Sequence, residues 1–163
     1  MGINYITLLG KDVNPVNKNA TNNTTKAKAI LRQEFNFYAN DDVLDQIFED
    51  IADAGVTLIA FTITAMNRRN MNFVRMVVGP PNANSSSANR VARNALHSAG
   101  VRYHEKQVIQ LIVPPTPGFG RSVFRTLYNL RLFATYSAVN GFILNISNPE
   151  TALKILKQNN IIN

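Results

Sequence analysis

The sequence predicts an α+β fold in which a βαββαβ unit occurs twice, each copy forming an antiparallel four-stranded sheet with two helices on one face. Two observations predict it. Stretches in which apolar and polar side chains alternate are interleaved, in a fixed order, with stretches that carry one apolar stripe at helical spacing. The same order then starts again in the second half of the chain. The 163 residues are enough to bury a core without disulfide bonds.

The first copy begins with a strand and a capped helix. Apolar and polar side chains alternate over residues 31–37, which is typical of a strand with one buried face. Asn40 is a favourable N-cap, and Asp41 and Asp42 suit the positive start of the helix that follows. Gly55 supplies the left-handed residue that ends this helix. The apolar stripe of the helix consists of Leu44, Ile47, Phe48 and Ile51.

The first copy continues with three more strands and a second helix. Apolar and β-branched residues predict two strands at 56–66 and 72–78, joined by a short loop. A serine-rich turn at 85–87 precedes a helix that Gly100 ends. A long strand is then predicted at 101–113.

The pattern restarts within that long strand. A constant shift along the sequence brings Phe48 onto Phe124, and the same shift brings Ile51 onto Leu127. The last strand of the first copy and the first strand of the second are therefore expected to be fused, with almost no linker. The order βαββαβ is that of ferredoxin-like sandwiches. The expected organisation is an N-terminal strand and flexible arm at 1–28, a first repeat at 29–106 and a second repeat at 107–163.

The N-terminal segment is poor in apolar side chains after a short apolar stretch at residues 1–9. Residues 10–28 are rich in Asn, Thr and Lys and bury too little to offset the entropy of ordering, so we expect a mobile arm. Two interpretations of the apolar stretch remain open. It is either a frayed tail or a strand that adds to an open sheet edge, including that of a second subunit.

The charge is unevenly distributed. With 17 basic and 10 acidic residues the formal net charge is +7, and seven of the acids lie between Glu34 and Asp53. A basic balance is compatible with nucleic acid, with anionic ligands or with an acidic partner surface. We expect the acidic first helix of copy one and the basic first helix of copy two to pair, within the chain or between subunits. Their charged residues are Asp42, Asp45, Glu49 and Asp53 in one helix, and Arg121, Arg125 and Arg131 in the other.

The residue types exclude several classes of protein. The chain has no cysteine, which excludes disulfides, Fe–S clusters, thiolate zinc sites and cysteine nucleophiles. His97 and His104 fall on different predicted elements and are too few for a metal site. No dinucleotide loop, Walker sequence or nucleophile elbow is present. With no long apolar window and no secretory signal, we expect a cytoplasmic, non-enzymatic protein without a cofactor or metal.

The second copy contains a distinctive strand, turn and helix. A strand at 108–113 is followed by the turn Thr116-Pro117-Gly118-Phe119 and then by a helix. This passage resembles the ACT domain, a small regulatory module that commonly binds amino acids and has a Pro-Gly turn between its first strand and first helix. In the first copy, the segment FEDIADAGVTLIAFTIT is similar to the helix–Gly–strand passage of the same family. The resemblance covers residues 29–163 and implies a stand-alone tandem ACT protein.

The resemblance also implies where a ligand binds. Backbone N–H groups at the start of a helix can receive a carboxylate, and a tight turn without a ligand is the alternative. In the first copy an Asn-Asp-Asp sequence replaces the Pro-Gly pair. The implied ligand residues are Thr116, Pro117, Gly118 and Phe119 in the second copy, and Asn40, Asp41 and Asp42 in the first.

The leading hypothesis is a homodimeric regulatory protein that binds a small effector, an amino acid, and acts on a regulated enzyme or regulator protein. Open sheet edges favour the dimer. One alternative is a protein-interaction module without a ligand. The other is an RNA-binding protein that uses the basic second half, with Phe35 or Phe37, Phe73 and Phe142 as a platform on the sheet. Burial in the core is the competing expectation for those rings.

Overall fold

The computed structural model describes residues 26–66, 70–113 and 117–163, which contain six strands and four helices. Most of the predicted N-terminal arm therefore lies outside the described residues. In chain order the elements are β1 (Lys28–Ala39), α1 (Asp41–Asp53), β2 (Leu58–Ala65), β3 (Asn72–Val78), α2 (Ser86–Ser98), β4 (Tyr103–Ile112), α3 (Phe119–Thr126), β5 (Leu132–Ala138), β6 (Gly141–Ile146) and α4 (Pro149–Gln158).

The six strands form one antiparallel sheet in the order β2-β3-β1-β4-β6-β5. The predicted α+β class and its antiparallel, ferredoxin-like arrangement are confirmed. The two expected four-stranded sheets are merged into one, because both halves of the chain use β1 and β4. These two strands pair along almost their whole length, from Lys28 opposite Ile112 to Phe37 opposite Tyr103. The long central pair is flanked by β3 and β2 on one side and by β6 and β5 on the other.

The strand expected after the last helix is reduced to a single parallel bridge between Ile162 and Ala27. The reason is that the position beside β4 in the second half is already occupied by the start of β1, where Lys28 pairs with Ile112. Ala27 is fully buried, so the sheet begins slightly before residue 29. The expected boundary between residues 106 and 107 falls inside β4.

The four helices cover one face of the sheet in two groups. Helices α1 and α2 pack on a core that includes Phe35 and Phe37, and α3 and α4 pack on a core that includes Leu111 and Leu144. The helix stops predicted at Gly55 and Gly100 are confirmed, with φ angles of +69° and +67°. None of the helices in the described part of the chain is long and apolar enough to cross a membrane.

The sheet is strongly curled, which brings its two edge strands together. The Val139 backbone N–H donates to the carbonyl oxygen of Ile59 on β2 (2.9 Å). The curl encloses much of the face that no helix covers, and it buries the polar side of β1. Arg32 and Glu34 are only 1% and 0% exposed, although the alternation of residues 31–37 indicates one buried face. The apolar part of this inner core consists of Ile59, Ala60, Val77, Val108 and Ile143.

The acidic helix α1 and the basic helix α3 do not form ion pairs with each other in the described part of the chain. The salt bridge found there joins Arg93 to Glu105 (2.6 Å). Helix α1 lies beside the β2 edge, where the rings of Phe48 and Phe61 are 5.5 Å apart, and α3 contacts α4 instead of α1. The expected ion pairs within the chain are therefore absent, and pairing between subunits stays a prediction.

Candidate ligand-binding turns

The turn between β4 and α3 exposes an uncapped helix start. Gly118 precedes α3 in the left-handed conformation, with a φ of +80°, and no side chain caps the helix. The Ser122 backbone N–H donates to the Gly118 carbonyl (3.1 Å) as the first bond of the helix. The N–H groups of Phe119, Gly120 and Arg121 come before that bond and have no partner within the helix. Thr116 lies outside the described residues, and Pro117 is exposed.

The charge around this turn favours an anion. Helix α3 has no acidic residue in its first turn, so the positive end of its dipole is not neutralised. Arg121 is exposed one residue before Ser122. A carboxylate at this position can therefore combine backbone N–H groups with a guanidinium, and such charge-assisted hydrogen bonds are roughly twice as strong as neutral ones.

The corresponding turn in the first half is already satisfied by the protein. The Val43 backbone N–H donates to Asn40 Oδ1 (2.9 Å), and the Asn72 side chain donates to Asp41 Oδ1 (2.6 Å). Asp41 and Asp42 place two negative charges in the first turn of α1. The Asn40 side chain therefore occupies one N–H donor of this turn, and the two carboxylates repel an anion, so the turn is less suited to an anion than the start of α3.

The two sets of expected ligand residues lie at opposite ends of the sheet. Asn40 follows the end of β1, and Gly118 follows the end of β4. Because β1 and β4 run antiparallel, the two turns are separated by about the length of β1, on the order of 35 Å at ~3.3 Å per residue. The structure does not bring the two sets into one site.

The inner face of the sheet carries a buried polar cluster that the sequence does not reveal. The guanidinium of Arg32 donates to Gln110 Oε1 (2.8 Å), to the Pro80 carbonyl (2.6 Å) and to the Ala83 carbonyl. Burial lowers the pKa of Arg32 from its ordinary value. Gln110 in turn donates to the carbonyls of Pro81 and Val139 (3.1 and 3.2 Å). The cluster therefore ties the loop before α2 and the loop after β5 to the two central strands.

A second part of the cluster surrounds Glu34. The carboxylate accepts hydrogen bonds from the Tyr136 hydroxyl (2.6 Å) and from Asn145 Nδ2 (2.7 Å). Burial, followed by the Glu34 charge, raises the pKa of Tyr136 far above its ordinary value, so this phenol stays protonated and keeps donating. Burial is also the main cause that lowers the pKa of Lys106, which lies opposite Glu34 on β4.

A cleft of about 490 Å³ lies between the α1–β2 turn and the start of α2. The cleft is lined by Gly55, Pro80, Ser85 and Arg90, among others. The buried Arg32 side chain donates a hydrogen bond to the Pro80 carbonyl and so holds this part of the lining in place. This cleft contains none of the ligand residues that the family resemblance implies.

Comparisons with known proteins show the fold. No protein-family model and no curated protein matches the chain. A protein from Bacteroides thetaiotaomicron is similar in structure with a TM-score of 0.64 and 17% identity, over 80% of this chain and 90% of that one.

Regulatory subunits of aspartate kinase are also similar. The ligand-free form from Thermus thermophilus has a TM-score of 0.53 and 12% identity, over 81% of this chain and 95% of that one. The regulatory subunit from Thermus flavus has a TM-score of 0.51 and 11% identity, over 82% and 95%. The chain therefore has an ACT-like fold.

Proposed function

We propose that this chain is a non-enzymatic regulatory protein that binds a small effector, an amino acid, at the turn between β4 and α3. The observation that carries the proposal is the exposed and uncapped start of α3 at Gly118. The ligand carboxylate accepts from the N–H groups of the first turn, beside the cationic side chain of Arg121. The ACT-like fold supports the regulatory role, since the aspartate kinase regulatory subunits share it.

The proposal treats the chain as two ACT-like repeats, at 29–106 and 107–163, preceded by the arm at 1–28. The support is that α1 with α2 and α3 with α4 each cover one half of a common sheet. Of the first helices of the two repeats, α1 has a side-chain cap and α3 has none among the described residues, so one effector is expected for each chain. Binding beside β4 acts on both halves, because β4 pairs with β1 and with β6.

A thermal-shift screen against the twenty amino acids tests the effector. A ligand at a hundredfold excess over its Kd stabilises the protein by about 2.7 kcal/mol, so at least one amino acid is expected to raise the Tm. The Gly118→Ala variant is expected to weaken that ligand about tenfold or more, because a misplaced charge-assisted hydrogen bond costs about 1.5–3 kcal/mol. A Cβ at Gly118 meets no protein atom within 4 Å, so the variant strains the left-handed backbone that orients the N–H groups of the first turn without a clash inside the protein.

The matched control is Gly100→Ala. Gly100 also has a positive φ, and a Cβ there likewise meets nothing within 4 Å. Both variants are expected to lose about 1 kcal/mol of folding free energy through backbone strain, but Gly100→Ala keeps the ligand response. If no amino acid raises the Tm, the effector proposal fails; if Gly118→Ala responds like wild type, the site is elsewhere.

A specific observation also favours an interaction surface between subunits. Phe124 on α3 and Tyr128, two residues after its end, are 44% and 78% exposed. Both are close in sequence to the basic residues Arg121 and Arg125. We propose that this face contacts the acidic α1 of a second copy in a homodimer.

Charge reversal tests the homodimer. The double variant Arg121→Glu and Arg125→Glu is expected to weaken dimerisation by roughly tenfold, because each attraction to an acidic partner becomes a repulsion, worth ~0–1 kcal/mol for an exposed pair. Sedimentation velocity measures the association. Adding Asp45→Arg and Glu49→Arg to the same chain restores it.

The control for this experiment reverses the same charge on another helix. Lys154→Glu with Lys157→Glu alters exposed positions of α4 and is expected to leave association unchanged. A monomeric wild type, or equal effects from both pairs, contradicts the proposed contact.

A further inference from the structure

Aromatic rings and cations share the face of the sheet that carries no helix. Tyr38 on β1 lies directly opposite Phe73 on β3, and their ring centroids are 5.0 Å apart. The guanidinium carbon of Arg75 lies 4.6 Å from the Phe73 ring centroid. Paired residues of antiparallel strands project to the same face, so these three side chains form one cluster on the inner side of the curled sheet.

A second cluster of the same kind lies further along the sheet. The Phe133 ring, which is 49% exposed, has Lys106 Nζ at 5.0 Å and the guanidinium carbon of Arg131 at 5.2 Å from its centroid. Tyr38 on β1 and Phe133 near the start of β5 are separated by three strand spacings, which is about 14 Å measured across the strands. His104 is exposed between the two clusters, on β4.

The charge of this face is positive and largely unpaired. The strands bring one carboxylate to it, that of Glu34, which is fully buried and accepts from Tyr136 and Asn145. Within the described ranges, neither Arg75 nor Lys106 forms a salt bridge. The described strands bring no exposed carboxylate to these cations, and cations held over aromatic rings favour a polyanion that also offers flat rings.

We propose that the helix-free face of the sheet, defined by Tyr38, Phe73, Arg75, Lys106, Arg131 and Phe133, binds single-stranded nucleic acid. Bases stack on the exposed rings, and the cations contact the phosphates, which is how sequence-tolerant binding of single strands works. The distance between the Tyr38 and Phe133 clusters favours a nucleic acid over a small anion. A single small anion can contact one cluster, whereas a chain of nucleotides can contact both. This surface is separate from the Gly118 turn, so the two proposals stand or fall independently.

Of the four rings expected from the sequence to form a platform, Phe73 alone belongs to this surface. Phe35 and Phe37 are buried in the core beneath α1 and α2, and Phe142 packs against the core beneath α3 and α4. Those three side chains project to the helix-covered face and cannot contact a nucleic acid.

Fluorescence anisotropy of the full chain with a labelled oligouridylate of about 12 nucleotides tests the proposal, with the matching oligothymidylate as a second probe. Binding is expected at low salt, with log K falling linearly against log salt by ~0.7 for each phosphate contact. Phe133→Leu is expected to weaken binding about tenfold through lost stacking. Lys106→Gln is expected to weaken it and to reduce the salt slope by ~0.7.

Two control variants remove the same groups elsewhere on the surface. Phe61→Leu removes a 48% exposed ring from the helix-covered face of β2, and Arg90→Gln removes an exposed cation from α2. Both are expected to bind like wild type. Tyr38→Leu, at a 55% exposed position, repeats the stacking test if Phe133→Leu is poorly folded. Absence of binding to either probe at low salt, or equal losses in the control variants, overturns the proposal.

Discussion

Gly141→Ala is expected to cost at least ~3 kcal/mol of folding free energy, measured by urea unfolding. A Cβ on Gly141 would overlap the carbonyl oxygen of Leu111 and lie 2.9 Å from its carbonyl carbon. Both atoms belong to the backbone of β4, so no side-chain rotation can make room. Gly141 pairs with Ile112 at the end of the β4–β6 ladder, and β6 must move away from the central pair. Overpacking usually destabilises a protein by ~1–3 kcal/mol. The cost here is expected at or above the upper end of that range, because the overlapping atoms belong to the backbone.

Gly120→Ala is the control for that variant. Gly120 is in α3, and a Cβ there meets no atom within 4 Å. Alanine is favoured over glycine in a helix by up to ~1 kcal/mol, so this variant is expected to unfold at the same or a slightly higher urea concentration. A wild-type midpoint for Gly141→Ala would show that β4 and β6 do not approach as closely as the register requires.

Arg32→Met is expected to cost about 3 kcal/mol or more. Methionine fills the inner core but donates no hydrogen bond, so Gln110 Oε1 and the carbonyls of Pro80 and Ala83 lose their donor. Each buried polar group left without a partner costs about 1–3 kcal/mol, and hydration of the exposed Pro80 loop recovers part of this. The free energy of unfolding from denaturant titration measures the loss.

A double-mutant cycle and a surface control make this test specific. Gln110→Leu combined with Arg32→Met is expected to cost less than the two single losses together, because each variant alone leaves a shared partner unsatisfied. Arg90→Met, at an exposed position on α2, is expected to change stability by at most ~0.5 kcal/mol. Additive effects of Arg32 and Gln110 would contradict the hydrogen bond between them.

The local elements could be predicted from the sequence because their signals are local. The stripe around Ile47 and Ile51 predicts α1, and both residues are fully buried. The cap at Asn40 and the stop at Gly55 depend on the chemistry of one residue and its immediate neighbours, and both take the expected geometry.

The sharing of β1 and β4 could not be predicted in the same way. Alternation shows that a strand has two different faces, but it does not show which strand lies on either side. The curl of the sheet could not be predicted for the same reason. In the sequence of β1 alone, Arg32 and Glu34 indicate a face exposed to solvent. Their burial depends on partners distant in sequence, the Pro80 loop and Gln110 for Arg32 and Tyr136 and Asn145 for Glu34.

A short motif predicted the conformation of one candidate site but not the composition of the other. The Pro-Gly pair indicated a turn, and Gly118 has the left-handed conformation that such a turn requires. Whether that turn binds an effector stays a prediction. Nothing in the spacing of Tyr38, Arg75 and Phe133 relates them to one another, because they meet only through the order of strands in the folded sheet.

The shared central strands make the molecule indivisible. A cut at residue 106 splits β4, and removal of either half takes away a backbone partner that the other half needs. Transplanting the Gly118 turn or the basic sheet face into another protein therefore requires the whole span from β1 to α4. The sequence pattern suggests two separate modules, but the folded chain has one sheet with a helix-covered core at each side of the β1–β4 pair.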